Sequence, residues 1–516
     1  MAGAVRRDAA EFTGRSELPT DMTSAAPLCP KSALLTDLYQ LTMAYGYWRS
    51  GMAERPAVFH LLFRQAPFGG GFTLACGLAD AVEHVRQLRF TPEDIEYLVT
   101  LTGRDGKPLF EKRFLEYLHG TKFELDIDAV PEGTVVFPQE PLLRVQGCIL
   151  QAQLVETALL YCINFQSLVA TKAARVCLAA KGDPVLEFGL RRAQGADGGV
   201  AACRAAYIGG CAGTSNVLAG KRLAIPVMGT HAHSWVQAFA SELEAFEAYA
   251  KAMPNNCVFL VDTYNSLNGV RHAVEVGERL RAQGHELSGI RLDSGDLAYL
   301  SIEARKLLDA AGFPKAMIVA SNDLDEHIIT SLKQQGARIN AWGVGTKLIT
   351  AYDHPALGGV YKLSALQAAD GHWEHKVKLS EQLAKLTNPG ILQVRRFRSG
   401  PEYIGDAIYD ITLPQPASFT IVHPLDLIRR KHFAANEPAE DLLVPILRGG
   451  KLVNELPSLD GIRERVRSQL AMFNPGIKRF TNPHEYPVGL EQGLHDLKTK
   501  LVLKARGEKV SNSRST

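Results

Sequence analysis

The chain has 516 residues, 46% of them hydrophobic and 22% charged, which is enough apolar mass for two or three packed domains at roughly 150 residues each. A formal net charge of +2 gives no global field toward nucleic acid or an acidic membrane, although a local basic pocket for phosphates is compatible with it. The eight cysteines form no C-x-x-C pair and mostly sit in apolar runs, so they read as buried reduced thiols of a cytoplasmic protein.

In chain order, residues 1–32 are polar and broken by proline, without the apolar stretch of a signal peptide, and read as a tail. Residues 33–50 carry apolar side chains at helical spacing, and "AVFHLLFR" reads as a strand. "PFGGGFTLACGLADAVEHVRQL" reads as a glycine-rich turn leading into a helix. Residues 124–150 alternate and are cut by Pro and Gly, which predicts antiparallel strands, followed by a long helix from about 151 to 180. No uninterrupted apolar run of 18 residues occurs, so no membrane span is expected.

The pattern then becomes strand and helix in alternation. The strands are "PVLEFGL", "AIPVMGT", "CVFLVDT", "LSGIRLD", "AMIVASN" and "INAWGVG", with amphipathic helices between most of them. Six such units predict a parallel sheet with helices outside, and their spacing suits a complete or incomplete α/β barrel better than an open sheet; a doubly wound sheet stays open as the alternative. Past about residue 360 the periodicity weakens. The chain is expected to return to a second, α+β domain built with the N-terminal part. The expected bounds are 33–165 and 366–502 for the two parts of that domain, 166–365 for the barrel, and 503–516 for a solvated tail.

Unusual polar residues follow the predicted strands: Arg191 and Arg192; Thr230, His231 and His233; Asp262, Thr263 and Tyr264; Arg291, Asp293, Ser294 and Asp296; Ser321, Asn322 and Asp323; Gly343, Gly345 and Thr346. In a parallel α/β barrel all six groups would open into one C-terminal mouth. "RLDSGD" suits carboxylates holding a cation or ribose hydroxyls beside an arginine anion clamp, and equally an N-cap made by Ser294 or Asp293. "GVGT" lets backbone N–H groups approach an anion, or is a plain turn. Of the adjacent arginines in "GLRRAQG", strand alternation sends one into the mouth and the other to Glu187 or solvent. His231 and His233 form H-x-H, which also opens metal sites of barrel hydrolases, but no later strand end supplies a further histidine ligand.

The blocks "LLTDLYQLTMAYGYW", "PFGGGFTLACGL", "FGLRRAQGADGG", "SNVLAG", "GTHAHSWV", "DTYNSLNGV", "RLDSGDL", "SND" and "GVGTKLIT", in this order over roughly residues 33–500, resemble nicotinate phosphoribosyltransferases of the longer type also found in animals. The resemblance implies an irregular TIM-like α/β barrel beside a second α+β domain, and a homodimer with shared active sites. It implies transfer of phosphoribose from phosphoribosyl pyrophosphate to nicotinate, the first step of NAD synthesis from nicotinate, with ATP as co-substrate and substrate-borne Mg2+ or Mn2+.

Carried over residue by residue, it implies a phosphorylated His233 and a nicotinate site of Thr230, Arg191, Arg291 and, from the partner subunit, Tyr39. Asp293 would lie near the ribose, and Asn322, Gly343, Gly345 and Thr346 at the phosphoribosyl pyrophosphate. No tight metal site is implied, the magnesium being expected near Asp293 and Asp296. The segment after "AHSW" is short where animal members carry a long insertion. The rivals are a nicotinamide phosphoribosyltransferase, which a competition assay between the two pyridines separates, and a metal-dependent hydrolase built on His231 and His233, which tightly bound zinc would mark. A non-catalytic phosphate-binding protein, the third, would release no pyrophosphate.

Overall fold

A computed structural model describes residues 32–382, 385–426 and 428–507; the N-terminal tail reading up to residue 31 and the last residues of the C-terminal tail lie outside them. The centre of the molecule is a parallel sheet of six short strands: β1 (Val185–Glu187), β2 (Gly213–Thr214), β3 (Val258–Leu260), β4 (Gly289–Leu292), β5 (Met317–Ser321) and β6 (Ala341–Val344). Their order is β2-β1-β6-β5-β4-β3, so the sheet curves as a half-barrel and does not close.

The segment "AIPVMGT", predicted as a strand, contributes a single bridge from Val227 to Thr214, and the short β2 takes its place. On that side a side chain substitutes for a ladder: His231 Nε2 accepts the Leu260 backbone N–H at 3.3 Å. The strands are buried on both faces and are correspondingly apolar. The helices Ser266–Ala282 and Leu297–Ala310 pack outside β4.

The long predicted helix is two, Ile149–Leu154 and Glu156–Ala180, joined at Val155. Together they are long and apolar enough to cross a membrane by length and composition, with a mean hydropathy of 1.3, but 67% of that window is buried inside the protein. Glu156–Ala180 is a core helix: it packs on Ala196–Ile208 and Glu326–Gln334, and its Lys172 and Arg175 are buried against Glu326 at 2.8 and 2.7 Å.

Around this centre lie a seven-stranded antiparallel sheet and a six-stranded mixed sheet. In the first, Pro56–Leu62 pairs with both Pro141–Cys148 and Val360–Gln367, and Asp126–Ala129 pairs with Val444–Arg448, so the N-terminal and C-terminal parts share one sheet. The C-terminal helix runs to Ala505, into the stretch expected as tail.

Candidate active site

A cleft of about 280 Å³ opens at the C-terminal ends of the central strands. Polar residues line it where the chain leaves β1, β2, β4, β5 and β6, whereas Asp262, Thr263 and Tyr264 after β3, expected in the same mouth, do not line it. After β1 come Phe188, Arg191 and Arg192; after β2, Ser215; after the Val227 bridge, Thr230 and His231. From β4 and its exit come Arg291 and Asp293. Ser321, Asn322 and Asp323 end β5, and Gly343, Gly345 and Thr346 end β6.

Arg291 is the hub. Its Nε donates to Ser321 Oγ at 2.6 Å, its Nη1 to Thr230 Oγ1 at 3.0 Å, and its Nη2 to Asp293 Oδ1 at 2.9 Å. The guanidinium lies 5.6 Å from the centre of the Phe188 ring. Ser321 donates in turn to Asp293 Oδ1 at 2.5 Å. Partial burial pushes the Asp293 carboxyl up, but the Ser321 hydroxyl and the Arg291 guanidinium outweigh it and hold the group below the ordinary carboxylate range. Asp293 Oδ2 is left for another partner.

That atom faces His233, whose Nε2 lies 3.7 Å from it and 3.8 Å from Asp262 Oδ1. The other ring nitrogen, Nδ1, is 3.1 Å from Thr263 Oγ1. Asp262 is held from behind: its Oδ2 accepts the Asp293 backbone N–H at 3.0 Å and the Ser294 hydroxyl at 2.5 Å, while among the described residues its buried Oδ1 has no hydrogen-bond partner. His233 therefore stands at the edge of the cleft, joined to it through Asp293, with its side chain 39% exposed.

His231 differs in kind. Its Nε2 is engaged by Leu260 N–H, its Nδ1 faces the Ala232 carbonyl at 3.4 Å, and burial pulls the imidazole down to about 4. It is a neutral structural side chain whose nitrogens both face backbone. Among the described residues no group of three or more His, Cys, Asp or Glu side chains gathers as a metal cluster.

Of the residues singled out from the sequence, Arg191, Thr230, Arg291, Asp293, Asn322, Gly343, Gly345 and Thr346 line the cleft together. Two expectations change. Both Arg191 and Arg192 line it, because Leu190–Arg192 is a 3-10 turn, where the alternation of a strand does not hold; among the described residues neither has an acidic partner in an ion pair. The helix cap in "RLDSGD" is Asp296, whose carboxylate accepts Tyr299 N–H at 3.0 Å, and not Ser294 or Asp293. Asp296 does not line the cleft, and neither does Tyr39, which is 47% exposed on the outer helix Leu38–Arg49.

Phe188 and Ser215 are lining residues that the sequence reading did not single out. Both follow a strand directly, the one signal that could have found them. Phe188 also explains Gly343: a Cβ there would come within 2.7 Å of the Phe188 ring.

Comparison with known proteins covers most of the described chain. The model of the nicotinate phosphoribosyltransferase N-terminal domain matches residues 34–164, that of the nicotinate phosphoribosyltransferase family residues 184–386, and that of the C-terminal domain residues 393–498. The nicotinate phosphoribosyltransferase of Bacillus subtilis (strain 168) is 44% identical over 486 residues, covering 91% of this chain and 96% of its own. That of Caenorhabditis elegans is 38% identical over 527 residues, covering 90% and 92%. The crystal structure of human nicotinic acid phosphoribosyltransferase superposes with a TM-score of 0.78 at 34% identity, covering 90% of this chain and 99% of that one. With three family models in register and an open half-barrel whose strand ends converge on one arginine-rich cleft, the chain belongs to the nicotinate phosphoribosyltransferase family.

Proposed function

We propose that the protein transfers phosphoribose from phosphoribosyl pyrophosphate to the ring nitrogen of nicotinate, releasing pyrophosphate, and that ATP drives the step through a phosphorylated His233. The observation that carries the reading is the charge layout of the cleft. Arg291 is neutralised by Asp293, while among the described residues Arg191 and Arg192 have no ion-pair partner; three arginines against the carboxylates of Asp293 and Asp323 leave the vacant volume positive, and it is sized for a small polyanion. The backbone around Gly343 and Gly345 and the Thr346 hydroxyl are suited to the 5-phosphate.

As the bond from C1 to pyrophosphate breaks, positive charge grows on the ribose and negative charge on the leaving group. Asp293 answers the first and the arginines the second, so catalysis here is positioning and electrostatics. Asp293 Oδ2, which neither Arg291 nor Ser321 engages, fits a divalent cation carried in on the pyrophosphate, which would supply charge neutralisation for that leaving group.

In the tautomer that donates Nδ1–H to Thr263, the His233 lone pair is on Nε2, the nitrogen 3.7 Å from Asp293 Oδ2 and 3.8 Å from Asp262 Oδ1. Attack on the γ-phosphorus of ATP forms the N–P bond, breaks the bond to the bridging oxygen and releases ADP; hydrolysis then returns the imidazole and phosphate. Because Asp293 touches both His233 and Arg291, phosphorylation reaches the substrate site through one carboxylate. Tyr39 is assigned to the pyridine ring of the partner subunit's site in a cytoplasmic homodimer, a role its exposure supports.

The test is pyrophosphate release that depends on nicotinate, with and without ATP. Wild type should release pyrophosphate faster with ATP, and His233→Ala should keep slow transfer that ATP no longer accelerates. Full ATP coupling in that variant, preferential use of nicotinamide, or absence of pyrophosphate release each overturns a stated part of the reading.

A further inference from the structure

The two loops that line the cleft after β5 and β6 are joined outside it by an ion pair. The loop after β5 contributes Asn322 and Asp323 to the lining, and the loop after β6 contributes Gly345 and Thr346. Asp325 lies two residues past Asp323 and Lys347 directly follows Thr346, and Lys347 Nζ meets Asp325 Oδ2 at 2.7 Å. Asp325 is 6% exposed and uses its other oxygen to cap the helix Glu326–Gln334, accepting His327 N–H at 3.0 Å and Ile328 N–H at 2.8 Å. The next residue, Glu326, is buried between Lys172 and Arg175 of the core helix. Lys347 thus reaches, through two consecutive carboxylates, the buried core helix Glu156–Ala180.

We propose that Asp325 and Lys347 are positioning residues that fix the spacing between the β5 and β6 loops, and so the fit of the cleft to the phosphoribosyl phosphate. Neither lines the cleft; both act through Thr346, Asn322 and Asp323. The proposal rests on the phosphoribosyl transfer reading. The pair is mostly out of water, so its geometry is held more firmly than that of a surface ion pair, and its loss lets one loop slide against the other.

Asp325→Asn separates the two duties of the residue. Asparagine caps a helix about as well as aspartate but leaves Lys347 without its ion pair. The expected result is a rise of about tenfold in the KM for phosphoribosyl pyrophosphate, with the KM for nicotinate within about twofold of wild type. Lys347→Met should do the same, the double variant should be no worse than either single change, and Lys347→Arg should restore most of the affinity. In the protein without ligand, amide exchange should quicken at residues 343–347 and stay unchanged along 326–334.

Equal rises in both KM values, an unchanged KM for phosphoribosyl pyrophosphate, or faster exchange through the whole helix 326–334 would each overturn the proposal in favour of a merely structural pair. Should wild type release no pyrophosphate, the functional reading falls, while the exchange result still decides whether the pair fixes the loops.

Discussion

Arg291 and His231 show two fates of a polar residue at a strand end. Arg291 spends its donors on Ser321, Thr230 and Asp293 and stays charged in the cleft. His231 spends its acceptor on Leu260 N–H and stays neutral. Free histidine titrates near 6.5, whereas His231 in the folded chain titrates at about 4. Between those values the unfolded chain binds the extra proton, so stability falls as pH drops through this window and is unaffected above it. The gap is worth at most about 3 kcal/mol at low pH. His60, pulled down to about 3 by burial, acts in the same direction, so wild type alone cannot apportion the effect. His231→Gln keeps an acceptor for Leu260 and removes the titration. Chemical denaturation of both proteins at pH 7, 5.5 and 4.5 should show a shallower loss in the variant; parallel curves would remove His231 from the acid sensitivity. The sequence offered "THAHSW" with two candidate histidines, and their chemistry alone did not separate them. What separates them is neighbours far along the chain: Leu260 for one, Asp262 and Asp293 for the other.

At the scale of elements, five of the six strand ends were legible because short apolar runs followed by Gly, Asp, Ser or Thr are what a parallel sheet with a polar mouth requires. Closure was not legible. "AIPVMGT" has the composition of a strand, yet Pro226 has no N–H to donate and Gly213–Thr214, too short to show any periodicity, occupies the ladder position beside β1. The arginine pair misled for a related reason: alternation ends where the strand does, and Leu190–Arg192 is already a turn. Close packing between strand exits was equally hidden. Gly343 is glycine because Phe188 presses on it, and the same ring lies beside Arg291. Gly343→Ala should therefore displace the ring and carry the guanidinium with it. The expected cost is about 1–3 kcal/mol in stability from overpacking, with a lowered kcat/KM for the transfer. Thermal unfolding and steady-state kinetics on the same preparation check it; a variant with wild-type stability and kinetics would mean that the ring moves freely.

For the whole molecule, the catalytic half-barrel is not a separable unit. Arg204, on the helix that follows the arginine turn, is buried in a bidentate pair with Glu132 of the N-terminal part, at 2.8 Å on both oxygens. Removing one partner strands the other charge, so Glu132→Gln should destabilise by about 3–5 kcal/mol, read by denaturant unfolding. No periodicity in the sequence announces such a pair, because its members lie 72 residues apart. The N-terminal helix poses the larger question. Leu35, Leu38, Tyr39 and Met43 are all exposed apolar side chains on or beside it, a surface a second copy of the chain would cover. If Tyr39 completes the partner's cleft, Tyr39→Ala and Arg291→Ala are defects in different halves of one shared site. Each protein alone should be nearly inactive. Co-refolded in equal amounts, half of the dimers are hybrids, and each hybrid carries one site with both residues intact. Roughly a quarter of wild-type activity should then return, with a normal KM for nicotinate at those sites. A mixture that remains as inactive as its components, in a preparation shown by mass to contain hybrids, would place Tyr39 and Arg291 in the same site of one chain or remove Tyr39 from the chemistry altogether.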